Sequence, residues 1–83
     1  MDKVLIEVYV PVLDRAFDMF VPLRSRMHEV LSLVKRAVEE LSDGTFRADE
    51  NTTLCRREDG ATININLSVY ELNIRNGSKL MLI

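Results

Sequence analysis

Tryptophan is missing from this 83-residue sequence, cysteine and histidine occur once each, and there are only two prolines and three glycines. Each scarcity removes a class of protein. A lone Cys55 can close no internal disulfide and build no cysteine cage for a metal, which suits a reducing compartment and makes the cytoplasm the expected location. With so little proline and glycine there is no linker, and neither a low-complexity stretch nor an internal repeat is present. No apolar run nears the roughly 18 to 20 residues that span a bilayer, and no basic-then-apolar leader precedes the first strand pattern. Direct membrane insertion is therefore not expected. Thirteen acidic residues face eleven basic ones for a net charge of −2, and the basic residues are scattered with only short pairs such as Lys35-Arg36 and Arg56-Arg57. Nucleic acid is accordingly not an expected partner.

What the chain does have is apolar residues, 47% of the total, arranged in two periods. A chain this short hides only about 60% of the surface it exposes when unfolded, so residues 1–83 are expected to form one domain with one core. In "VLIEVYV", Val4, Ile6, Val8 and Val10 alternate with Leu5, Glu7 and Tyr9, the signature of a strand buried on one face. After Pro11 and "VLDR", Phe17, Met19 and Val21 repeat the pattern, and two strands so closely linked should pair antiparallel.

Beyond Pro22 the period changes. Met27, Val30, Leu31, Val34, Val38 and Leu41 recur at three- and four-residue spacing, which predicts one amphipathic helix of about four turns, with Ser25 as N-cap and no full capping box. Gly44 is the expected left-handed residue after its C-terminus. The polar stretch "TFRADENT" reads as the most mobile loop, with Phe46 folded back onto the core. Two arms, "TTLCRR" and "ATININL", flank an Asp59-Gly60 hairpin turn, and Ile63, Ile65 and Leu67 predict a half-exposed second arm. Ser68 and Glu71 match a capping box for a short helical turn. A final strand follows from Lys79 to Ile83. The element order predicts an α+β fold, a mixed sheet of four to five strands with one long helix packed across it and the last strand beside the first.

This order, closing on "YELNIRNGSKLMLI" with Tyr70, Leu72 and Ile74 ahead of a turn and alternating apolar residues, resembles the ubiquitin-like β-grasp fold. A narrower similarity lies in "VYVPVLDRAFDMFVP", where Asp18, Met19, Phe20, Val21 and Pro22 match the Asp, apolar run and Pro of the second strand in the YukD/EsaB family. Those are small ubiquitin-like proteins associated with bacterial type VII (WXG100) secretion. The resemblance implies a protein partner, such as a membrane component or ATPase of the secretion apparatus. A ubiquitin-type modifier or sulfur carrier needs a flexible Gly-Gly tail. The sequence stops on the β-branched Ile83, which is expected to belong to the sheet, so conjugation and thiocarboxylate chemistry are disfavoured.

Catalytic, cofactor and metal sites are not predicted. Cys55 sits where one residue of the Leu54-Cys55 pair faces the core, and a free cysteine there behaves as a small apolar group. His28 has no second histidine or acid cluster to share a metal with. The pairs Glu39-Glu40 and Asp49-Glu50 read as solvated carboxylates. The open sheet face is more informative: Leu5, Tyr9, Phe20 and either Met81 or Ile83 would be exposed on it, and alternation puts one of Arg56 and Arg57 there as an anchor. These residues predict a protein-docking face. Two functions compete with an interaction module: self-assembly through the sheet edge or the open face, and, less favoured, a modifier or carrier without the usual tail.

Overall fold

In the computed structural model, which describes residues 2–83, β1 (Lys3–Val10) and β2 (Arg15–Pro22) form the predicted antiparallel hairpin. Its turn is a short 3-10 segment, Pro11–Leu13, closed by Asp14 in the left-handed conformation at φ 50°. Helix α1 (Met27–Leu41) follows, then the three-residue β3 (Leu54–Arg56) and β4 (Ser78–Leu82). The spatial order is β2-β1-β4-β3, with β4 parallel to β1 and antiparallel to β3. The last strand thus lies in the interior of the sheet beside the first.

Strand alternation sorts the side chains. Val4, Ile6, Val8, Val10, Phe17, Val21, Leu80 and Leu82 are buried on one face, and Met27, Val30, Val34 and Val38 of α1 belong to the same core cluster. Each such aliphatic side chain contributes about 1.5–3 kcal/mol on full burial. Phe46 folds back into this core, as its isolation in a polar stretch predicts.

Four local expectations need correction. Arg26, not Ser25, is the N-cap, because the Arg26 N–H donates to Glu29 Oε1 at 3.2 Å while the Glu29 N–H donates to the Arg26 carbonyl at 3.0 Å. Leu41 is exposed, since Phe46 closes that end of the core instead. The stretch read as a mobile loop is cross-tied: Ala48 N–H donates to Glu39 Oε2, Asp49 N–H to Thr52 Oγ1, and Lys35 Nζ to the Asp49 carbonyl.

The fourth correction concerns the second arm of the 54–67 hairpin, which makes a single bridge, Cys55 with Thr62, and no strand. Its carbonyls are engaged elsewhere. Met27 N–H donates to the Leu67 carbonyl at 2.8 Å and His28 N–H to the Ile65 carbonyl at 2.9 Å. The first turn of a helix has N–H groups without intrahelical acceptors, and this segment satisfies two of them. Asn64 Oδ1 accepts the Asn66 N–H at 3.0 Å, a turn that bends the chain out of strand geometry.

The predicted capping box is present at the next turn. Ser68 N–H donates to Glu71 Oε1 at 2.9 Å and Glu71 N–H to Ser68 Oγ at 3.0 Å. The Ser68 backbone N–H first, and the Ser68 hydroxyl second, hold the Glu71 carboxyl below its ordinary range. Gly44, at φ 81°, ends the helix by donating its N–H to the Glu39 carbonyl.

Two predictions follow from this packing. Leu80→Ala, at a fully buried interior strand position, lowers stability by about 3 kcal/mol in urea unfolding, whereas Leu41→Ala changes it by less than about 0.5 kcal/mol. A lowered folded-state carboxyl pKa contributes stability above the unfolded value and loses it as pH falls through the folded one. The stability difference between wild type and Glu71→Gln is therefore largest at neutral pH and vanishes in acid.

Candidate protein-interaction face

The face of the sheet opposite α1 is built by the odd residues of β1 and β4 and the even residues of β2. Glu7 and Lys79 are register partners across β1 and β4, as are Tyr9 and Met81. Leu5 lies opposite Phe20, and Glu7 opposite Asp18, across β1 and β2. Phe20 is the most open of the apolar residues, at 66% exposure, while Leu5, Tyr9 and Met81 are half-buried. Ile83 continues the ladder by exchanging two hydrogen bonds with Thr53, yet leaves its side chain exposed.

Arg57 joins the strands of this face. Its Nη1 donates to Glu7 Oε2 at 2.9 Å, and its guanidinium carbon stands 4.2 Å from the Tyr9 ring centroid. The Tyr9 hydroxyl in turn donates to Asp14 Oδ1 at 2.7 Å. The half-exposed Glu7–Arg57 pair is worth at most about 1 kcal/mol, and the stacking contact about 0.5–1 kcal/mol. Together they hold one cation fixed above an aromatic ring.

The strand order and the helix packed across one face can be compared with solved structures. The ubiquitin-like domain of the Mycobacterium tuberculosis type VII secretion protein EccD1 superposes with a TM-score of 0.79 at 16% identity, covering 100% of this chain and 99% of that one. The chain has the ubiquitin-like β-grasp fold. The ubiquitin-like domain of EccD5 from Mycobacterium xenopi superposes at 0.72 with 19% identity, over 100% and 94% of the two chains. A chain of the MycP5-free ESX-5 inner membrane complex also gives 0.72 at 18% identity, and here the β-grasp covers only 21% of the larger chain. No model of a protein family matches the sequence, and no curated protein does.

Within this β-grasp, Leu5, Tyr9, Phe20, Arg57 and Met81, singled out from the sequence, share the open face. Arg56 does not join them. It is paired with Leu80 on the helix side and donates Nη2 to the Leu72 carbonyl at 3.1 Å. An open groove lined by Arg56, Arg57, Glu58, Ser78 and Lys79 runs along this end of the sheet, with three cations against one carboxylate. Glu7, Asp14 and Asp18 are not among the interaction residues named from the sequence. Alternation alone implies Glu7 and Asp18, whereas the Asp14 contact depends on a left-handed turn.

The reactive side chains are placed for structure. Cys55 is buried, its thiol pKa pushed up by burial and then by the Asp59 carboxylate, which disfavours the thiolate. His28 is exposed, and among the described residues no three potential metal ligands cluster. Glu39 and Asp49 serve as loop acceptors for backbone N–H groups.

The hydrogen bond to Asp14 raises the Tyr9 pKa, with partial desolvation and the Asp14 charge adding to it. A raised folded-state pKa stabilises the fold below the ordinary tyrosine range, and that contribution is lost as pH rises through the folded value. In a Tyr70→Phe background, ultraviolet titration should place Tyr9 above an ordinary tyrosine, and Asp14→Asn should bring it down. Asparagine tolerates the left-handed backbone, so the turn itself is kept.

Proposed function

We propose that this chain is a protein–protein interaction module that works by binding without turnover, as a cytoplasmic accessory or regulatory component of a bacterial type VII-like secretion system. The observation that carries the reading is the open sheet face, where Arg57 is held over Tyr9 and which also presents Leu5, Phe20 and Met81. A fixed cation among half-exposed apolar and aromatic groups is the composition of an interface anchor. The secretion context is supported by the likeness to the EccD ubiquitin-like domains and to part of an inner membrane complex chain. It is supported also by the similarity of Asp18 to Pro22 to the YukD/EsaB pattern. Among the described residues no helix is long and apolar enough to cross a membrane.

The experiment is crosslinked copurification of the chain from its own cells, read by mass spectrometry, with Arg57→Glu beside it. A membrane component or ATPase of the apparatus should be recovered by the wild type, and at least about tenfold less by Arg57→Glu, which sets a second carboxylate against Glu7. Because the ion pair and the stacking on Tyr9 are both surface contacts, the variant should lose no more than about 2 kcal/mol of stability. Recovery of no secretion component, together with normal substrate export in a deletion strain, would dismiss the proposal.

A further inference from the structure

The β-grasp leaves the outer edge of β2 unpaired, and the hydrogen-bond pattern fixes which groups it offers. Gly77 N–H donates to the Leu5 carbonyl, and Leu5 N–H donates to Asn76 Oδ1, so the backbone of Leu5 faces the β4 side. On the other side of β1, Leu23 N–H donates to the Asp2 carbonyl. Both bonds set the same alternation: even residues of β1 bond to odd residues of β2. Ala16, Asp18 and Phe20 therefore direct their N–H and C=O groups away from the sheet, and all three are exposed. The edge offers three outward residues in succession, and Pro22, which lacks an N–H, stands only at its end.

The charge on that edge is unbalanced. Glu7 and Asp18 lie opposite each other in a non-hydrogen-bonded pair, the geometry that brings side chains closest, where like charges repel. Glu7 is compensated by Arg57. Asp18 forms no ion pair among the described residues, and Arg57 is already engaged.

We infer that the β2 edge accepts an extended, cationic segment of a partner protein, which adds as a strand and sets a basic side chain against Asp18 and an apolar one against Phe20. Added-strand recognition takes its affinity from main-chain hydrogen bonds and its specificity from alternate side chains. A second copy of this chain is the weaker occupant. The side chains β2 presents on that face are Ala16, Asp18, Phe20 and Pro22, so β2 paired on β2 brings no cation to Asp18 in any antiparallel register. The inference rests on the chain being an interaction module and not on which apparatus it serves.

The test is titration of the isotope-labelled full chain, followed by amide NMR, with a capped peptide as long as β2, eight residues, of alternating threonine and valine with lysine at a central valine, so that the valine two residues away meets Phe20. Shifts should concentrate on Ala16, Asp18 and Phe20. Replacing the lysine by glutamate should weaken binding about fivefold, and Asp18→Lys should reverse that preference. N-methylation of the peptide amides that face β2 should abolish binding. The inference is overturned by absence of binding at millimolar peptide, by shifts confined to β3, β4 or α1, or by equal affinity for the lysine and glutamate peptides. It is also overturned if the free chain already dimerises, with concentration-dependent shifts at the same three amides. The titration contains no secretion component, so its failure and a failed copurification are separate results.

Discussion

The parallel pairing of β4 with β1 is the constraint on which the rest of the molecule depends. The hairpin β1-β2 and the strand β3 have no direct contact in the sheet order, and only β4 joins them. Its placement is set at Gly77, whose φ of 87° lets the backbone turn into register while its N–H donates to the Leu5 carbonyl. The same register puts Leu80 and Leu82 under the helix. On the opposite face it sets Met81 beside Tyr9.

That register also creates the candidate interaction face. Arg57 follows β3, and Glu7 lies two strands away in β1, so their ion pair exists only because β4 fits between them. The face is consequently uneven in charge: carboxylates at Glu7, Asp14 and Asp18 lie toward the β1-β2 side, with Lys3 at the start of β1, and Arg57 and Lys79 lie toward the β3-β4 side. A partner laid across it meets opposite charge in a defined orientation, which favours one docking direction over its reverse. The energies of the single contacts are small. Their value is that they fix side chains that would otherwise lose rotamer freedom on binding.

Much of this was legible in the sequence wherever a short-range period or cap decides the structure. The alternation from Val4 to Val10 and from Phe17 to Val21, the helical spacing from Met27 to Val38, and the Ser68–Glu71 box are all realised. Misreadings occur where a distant element decides. Residues 63–67 alternate as a strand does, but the unsatisfied N–H groups of the helix start claim their carbonyls. Leu41 shares the angular position of Val30, yet it sits in the last turn, where Phe46 takes its place in the core. The choice between Arg56 and Arg57 follows from the pairing of Arg56 with Leu80, a contact that local pattern cannot express.

The capture of the helix start by Ile65 and Leu67 bears on what sort of molecule this fold can recognise. A helix N-terminus is ordinarily an attractive seat for phosphate or carboxylate groups, since its N–H donors and the positive end of its dipole both point outward. Here Met27 and His28 spend their donors on the chain's own carbonyls, and the Glu29 carboxylate stands against the Arg26 N–H. The start of α1 is thereby closed to anionic ligands by the chain's own carbonyls and carboxylate.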